Sequence, residues 1–247
     1  MKIKLATYNI SHCQDFYCNR DENAPVNIPK TAEFIKSFNA DIVSLNEVYS
    51  SSANEEYNMQ TEKLAQITGH PYFVQAEGKA FSWGTIGNAV LSKFPLSEFK
   101  AVPVLAPTEE EKRADENDWY EDRVVLYSKV KAEEKEFIVI ATHFGLNRLE
   151  QERMINALCK IIDEAKLPII LMGDFNALPH SDILLPIYDR LISCADIMNN
   201  KEYTFPSFEP DRTLDYIFVS KEIEVESFEV GREIVSDHLP CIAVLDI

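Results

Sequence analysis

The order of apolar and polar residues divides this chain into alternating strands and helices almost from its first residue. Lys2–Ile10 sets Ile3, Leu5, Thr7 and Asn9 against Lys2, Lys4, Ala6 and Tyr8, the period of a strand. Asp41–Val48 (DIVSLNEV) reads as a second, buried strand that exits at Glu47. Pro168–Pro179 (PIILMGDFNALP) is more telling. Ile169 to Met172 is apolar at every position, as in a strand covered on both faces, and Gly173 ends the run. Asp174 and Asn176 follow, and in extended backbone residues i and i+2 share a face. The pair reads either as two polar groups aimed into one pocket or as an Asx-type turn. Ser181, after Pro179 and His180, is placed to cap a following helix.

Between these strands, Pro29–Asn39 carries Ile28, Ala32, Ile35 and Phe38 near helical spacing, with Pro29 suited to a first turn. Asn54–Thr68 reads as a helix closed by Gly69. Tyr72–Gln75, Thr85–Ser92 and Glu98–Val104 are strand candidates. Val124–Val130 and Phe137–Thr142 suggest a hairpin whose second strand exits at Thr142-His143. Arg148–Ala165 is the clearest amphipathic helix, with Leu149, Met154, Ile155, Leu158, Ile161 and Ile162 on one side. A weaker helix falls near Ile183–Tyr188. Thr213–Ser220, which carries Asp215, Ile223–Val230 and Pro240–Ile247 complete the strands. Helices and strands mix without strict alternation, so a layered α/β or α+β sandwich fits better than a Rossmann-type sheet. There is no low-complexity tract, linker or evident internal repeat, and one domain over residues 1–247 is expected.

Bulk properties narrow the function. At 247 residues, with 46% hydrophobic and 11% aromatic content, the chain can bury a large core. The N-terminus enters a strand directly, without the long apolar run or cleavage site of a secretory leader. No apolar run approaches transmembrane length. Five cysteines, Cys13, Cys18, Cys159, Cys194 and Cys241, follow no framework spacing, which suits free thiols in a reducing, cytoplasmic setting. His12, Cys13 and Cys18 match no common zinc spacing. A net charge of −17, from 24 Lys and Arg against 41 Asp and Glu, disfavours large nucleic acid as a partner.

Polar residues gather where strands end: Asn9, Glu47, His143, Asp174, Asn176, Asp237 and His238. Singly, each reads as a turn, cap or satisfied core residue. Together they are the residue types of a site. Carboxylate and amide oxygens without thiolates select a hard divalent ion such as Mg²⁺ or Mn²⁺. Imidazole and amide nitrogens can donate to phosphoryl oxygens, and a carboxylate can orient an imidazole or take a proton from water. GxSxG, HExxH, GxGxxG and Walker A motifs are all missing. Metal-assisted hydrolysis of a phosphate ester uses this set best.

TYN at Thr7–Asn9, NEV around Glu47, GNAVLSKFP at Gly87–Pro95, TH at Thr142–His143, GDFNALP at Gly173–Pro179, LDYIFVS at Leu214–Ser220 and SDHLP at Ser236–Pro240 occur in that order. In this series the chain resembles the endonuclease/exonuclease/phosphatase superfamily over essentially its full length. The resemblance implies a DNase I-like four-layer α/β/β/α sandwich, two facing mixed β-sheets flanked by helices. It implies Glu47 as principal ligand of a Mg²⁺ or Mn²⁺ ion, with Asn9 and Asp237 near the metal. Asp174 would activate or orient the attacking water, Asn176 would bind the phosphoryl group, Asp215 would hold His238, and His143 would stabilise transition-state charge. The histidine after Thr142 looks more like the DNase I, sphingomyelinase and phosphatase branches than like apurinic-site endonucleases.

Arg123, at a strand start, reads equally as a substrate-phosphate ligand or an ordinary surface arginine. Phe81 and Trp83 read as a rim for an apolar substrate group or as loop anchors. The expected substrate is a small or lipid-derived phosphate ester, with a nuclease as the alternative.

Overall fold

The computed structural model describes residues 1–16, 25–53, 55–82, 84–113 and 119–247. Cys18, Asn54 and Trp83 lie outside the described residues, as does part of the loop between residues 109 and 119.

In chain order the elements are β1 (Lys2–Asn9), α1 (Ile28–Ser37), β2 (Ile42–Ser52), α2 (Gln60–Thr68), β3 (Tyr72–Phe81), β4 (Gly84–Ser92), β5 (Leu96–Val104), β6 (Arg123–Ala132), β7 (Lys135–His143), α3 (Arg148–Glu164), β8 (Ile169–Asp174), α4 (Leu185–Tyr188), β9 (Ile192–Ser193), α5 (Cys194–Ile197), β10 (Asp215–Val219), β11 (Glu224–Val230) and β12 (Cys241–Asp246). They form two mixed six-stranded sheets, ordered β11-β12-β1-β2-β4-β3 and β5-β6-β7-β8-β10-β9. The core between the sheets joins Leu5, Ile42 and Val90 to Leu126, Val139, Ile170, Met172 and Ile217. Outside the first sheet, Tyr8, Val43 and Leu91 pack on Phe34, Ile35 and Leu64 of α1 and α2. Outside the second, Ile140, Leu171 and Phe218 pack on Met154, Leu158 and Ile187 of α3 and α4. Each large apolar side chain buried this way contributes about 1.5–3 kcal/mol. This is the four-layer α/β/β/α sandwich.

Local chemistry sets most helix ends. Asn27 caps α1 by accepting from the Lys30 amide at 3.1 Å, with Pro29 in the first turn. Asn147 and Glu150 form a capping box on α3. Gly69 closes α2 in the left-handed region at φ 79°.

Three expectations need correcting. The strand expected over Tyr72–Gln75 runs on to Phe81. The second helix begins at Gln60, not Asn54, because β2 continues to Ser52 and the chain turns before the buried Gln60 side chain can bond the Tyr49 amide. Ser181 caps nothing: α4 starts later, after Leu184, and the Ser181 hydroxyl is buried without a partner. The short β9 and α5 escaped prediction because neither is long enough to show a period.

Candidate active site

Each sheet is centred on a parallel pair joined through a helix, β1–α1–β2 and β7–α3–β8. Parallel pairing brings both C-terminal ends of each pair to the same edge, with Asn9 opposite Asn46 and His143 opposite Asp174. The antiparallel neighbours deliver their starts there: Asp215 opens β10 opposite Asp174, and Asp237-His238 immediately precede β12. Strand direction thus brings Asn9, His143, Asp174, Asp215, Asp237 and His238 to one edge, and Glu47, next to Asn46 in β2, is the seventh of the expected residues there. The eighth, Asn176, follows just after β8.

Two backbone features aim these groups. Glu47 sits in a bulge of β2 against β4, at φ 59°, which turns its side chain out of the strand's regular alternation. Gly173 at φ 149° lets β8 approach β7; a Cβ there would lie 1.9 Å from the Thr142 carbonyl oxygen. Asn176 is not in extended backbone but at φ 44°. Its amide donates to Asp174 Oδ1 at 2.9 Å, so the Asx turn and the site coexist in one carboxylate. Asp174 Oδ1 shapes the turn while Oδ2 faces the cluster.

Asp174 Oδ2 is the centre. It lies 3.2 Å from Asn9 Nδ2, 3.5 Å from His143 Nε2 and 3.5 Å from His238 Nε2. Asn9 Nδ2 also donates to Glu47 Oε1 at 3.1 Å, while its oxygen accepts from the Ser11 amide. Asn9 therefore reaches the cluster as a donor between two carboxylates. His238 Nδ1 donates to Asp215 Oδ2 at 2.8 Å, which leaves Nε2 facing Asp174. Arg123 Nη1 approaches His143 Nδ1 at 3.3 Å, so Nδ1 is the acceptor and Nε2 carries the hydrogen toward Asp174 and Glu47. Asn176 Nδ2 donates to the Phe144 carbonyl at 3.0 Å and lies 3.4 Å from His143 Nε2. Asp237 accepts from the Ser236 hydroxyl at 3.0 Å on the same rim.

The two histidines answer to opposite fields. Burial, reinforced by the Arg123 guanidinium, holds His143 down at about 3, so it is a neutral donor. Burial also works against charge on His238, but the carboxylates of Asp215, Asp174 and Asp237 outweigh it and hold that imidazole well above its usual range. Among the carboxylates, burial raises Glu47, yet His12, His143 and the Asn9 amide prevail and hold it at about 2. Burial pushes Asp174 up to about 7, opposed by His238 and aided by Asp215. Asp237 is raised by burial, against His238, with Glu47 adding to the rise.

A divalent cation suits this surplus of negative charge. Asp174 and Asp215 are each 1% exposed. Asp215 Oδ1 is buried without a hydrogen-bond partner, and Asp174 is raised because its charge is under-compensated. Asp174, Asp215 and His238 also offer ligand-type atoms within 4.8 Å of one another, although His238 Nδ1 is committed to Asp215. The donors are oxygens and imidazoles with no thiolate, the set of a hard or borderline divalent ion.

Above the cluster opens a cleft of about 980 Å³. Phe81, Trp119, Arg123, Leu178, Phe205 and Arg212 are among the residues that line it. Arg123 is thus a cleft residue, paired to Glu121 at 3.0 Å.

Sequence reasoning missed three polar residues here. His12, in the cleft, lies 3.3 Å from Glu47 Oε2. Asn46, fully buried, donates to Asn88 Oδ1 and the Thr142 carbonyl, each at 2.8 Å, and accepts from the Asp174 amide at 3.0 Å. Asn88 donates on to the Val124 carbonyl at 2.9 Å. An amide within an otherwise apolar strand, as in SLNEV, was the available signal.

Comparison with known proteins agrees with this fold. Residues 6–238 match the profile of the Endonuclease/Exonuclease/phosphatase family. No curated protein matches the sequence. Among solved structures, an endonuclease/exonuclease/phosphatase from Bacteroides vulgatus superposes with a TM-score of 0.79 at 19% identity, covering 100% of this chain and 99% of its own. A mannosyl-6-phosphatase from Bacteroides thetaiotaomicron gives 0.77 at 16% identity, covering 99% and 100%. The human nocturnin catalytic domain, with bound sulfate, gives 0.68 at 19% identity, covering 99% and 94%. At these identities the likeness is one of fold.

Proposed function

The chain belongs to the endonuclease/exonuclease/phosphatase family, whose members hydrolyse phosphoesters, and from that premise we propose that it is a Mg²⁺- or Mn²⁺-dependent hydrolase of a small or lipid-derived phosphate ester. The observation that carries the reading is Asp174 Oδ2, within 3.5 Å of both imidazole Nε2 atoms and 3.2 Å from Asn9. Glu47 would hold the ion, flanked by Asn9 and Asp237; when bound, it supplies Lewis-acid polarisation of the phosphoryl group.

The remaining steps belong to the side chains. Asp174 orients water in line with phosphorus and accepts its proton as the P–O bond to the leaving alcohol breaks and the departing alkoxide takes a proton from solvent. Accepting a proton suits a carboxyl raised to about 7. Asp215 fixes His238 through Nδ1, so that Nε2–H faces Asp174 and the phosphoryl oxygens. His143 Nε2–H and Asn176 Nδ2 donate to charge developing on those oxygens. Arg123 fixes the His143 tautomer and adds a positive charge on the cleft wall.

A nuclease is the second reading, favoured by the family and opposed by the net charge of −17. The test is hydrolysis of bis-p-nitrophenyl phosphate, p-nitrophenyl phosphate and plasmid DNA in Mg²⁺, Mn²⁺ or EDTA. We expect metal-dependent release from one or both esters, none in EDTA, and intact plasmid. Silence against both reporters and against a panel of sugar and lipid phosphates would overturn the proposal; plasmid cleavage without ester release would replace it with the nuclease.

A further inference from the structure

His12 is the cleft imidazole to which the reaction above gives no part. It contacts Glu47 twice: Nδ1 lies 3.0 Å from the Glu47 backbone carbonyl, and Nε2 lies 3.3 Å from Glu47 Oε2. A carbonyl oxygen only accepts, so Nδ1 bears the hydrogen and donates it to the Glu47 carbonyl, while Nε2 turns its lone pair to the side of the carboxylate.

This contact is built rather than incidental. Ser11, His12 and Cys13 have φ of 42°, 59° and 61°, and Glu47 has φ 59°. Non-glycine residues occupy that region at a cost, and such runs persist where surrounding contacts over-determine them. Here the contacts are visible. Gln60, fully buried at the start of α2, donates Nε2 to the His12 carbonyl at 2.6 Å and accepts the Tyr49 amide at 2.9 Å through Oε1. One side chain thus ties the turn after β1 to β2 just beyond Glu47. The His12 ring packs on Tyr49 with centroids 5.0 Å apart, and Tyr49 packs on Tyr57 at 5.0 Å. Asn9 thus donates to Oε1, and the Nδ1 bond of His12 fixes the carbonyl of the same residue, in the bulge that turns its carboxylate inward.

We propose that His12 is a positioning residue that holds the Glu47 bulge, through its Nδ1 bond to the Glu47 carbonyl and the Gln60 brace, in the conformation that presents the carboxylate to a divalent ion. The inference rests on the phosphohydrolase reading, since it assigns Glu47 the metal. It predicts a specific failure: the ion binds more weakly, while chemistry at saturating ion is largely retained.

The probe is Mn²⁺ alone, titrated calorimetrically into the full-length metal-free protein, with thermal melting as the folding control. His12→Phe keeps a ring for Tyr49 and removes both nitrogens. His12→Asn can place a donor where Nδ1 stands, whereas His12→Gln can replace only Nε2. We expect His12→Phe and His12→Gln to weaken Mn²⁺ binding about 10-fold or more, the usual effect of removing a group that orients a ligand, and His12→Asn to recover most of it. Ester hydrolysis should show the Mn²⁺ requirement rising in parallel while kcat at saturation stays within about threefold of wild type. If His12→Phe does not fold, the Gln–Asn comparison decides the matter. Equal Mn²⁺ affinity in all four proteins, or equal losses in the Gln and Asn variants, overturns the inference and leaves the phosphohydrolase standing. No Mn²⁺ uptake by the wild type overturns both.

Discussion

At the scale of single residues, the site turns one side-chain type into two instruments. His143 faces a guanidinium and is held neutral, whereas His238 faces three carboxylates and is held charged. The difference lies in what each Nδ1 touches, Arg123 in one case and Asp215 in the other. Asp215 and His238 should therefore act as a unit. His238→Ala and Asp215→Ala are each expected to lower kcat by about 10²–10⁴-fold, and the double variant should be little worse than the poorer single one. Multiplying losses in the double variant would show that the two work independently. These partners were legible because both stand in short, distinctive strings, LDYIFVS and SDHLP. Asn46 and Asn88 stand in such strings too, NEV and GNAVLSKFP, but their roles, like that of His12, come from contacts across 35 to 128 positions in sequence. No local pattern records such contacts.

At the scale of elements, strands were read more accurately than connections. Periodicity reports burial, so β7, β8 and α3 fell within a residue or two of expectation. The start of α2 depends instead on where the Gln60 side chain finds partners. The end of α2 shows another such tertiary tie. His70, 5% exposed just after Gly69, joins α2 to the turn after α1. Its Nδ1 lies 2.8 Å from the Thr68 hydroxyl, and Nε2 donates to the Ala40 carbonyl at 3.2 Å. Burial holds His70 below its usual range, so the unfolded chain takes up a proton where the folded chain does not. The stability this contributes is present above the unfolded value of about 6.5 and is lost as pH falls from there through the lower folded value. Urea unfolding midpoints at pH 7.5 and 5.5 should thus fall less in His70→Gln than in wild type. An equal fall in both would mean that His70 does not titrate with unfolding.

At the scale of the molecule, the two sheets repeat one plan. The sequence shows no repeat, yet β11-β12-β1-β2-β4-β3 and β5-β6-β7-β8-β10-β9 place a parallel pair at the same two positions, with antiparallel neighbours on both sides. Packing needs only apolar residues of suitable size and period, so two halves can keep a topology while their side chains diverge. The site sits where the corresponding edges meet, and the charge around it sets what can arrive there. Lys79 and Arg123 pair with Glu121, and Arg212 pairs with Asp211 at 2.6 Å. Those cleft cations are partly spent, and the chain as a whole carries a formal net charge of −17. A small ester can enter and meet the buried donors, but a duplex must lay many phosphates along an acidic rim. Duplex DNA added as a competitor should therefore leave ester hydrolysis unchanged at about 50 mM and at about 200 mM salt, the range over which phosphate-driven binding changes most steeply. Inhibition at the lower salt that disappears at the higher would reveal a phosphate-binding track that these pairings do not provide, and would move the nuclease reading ahead of the small-ester one.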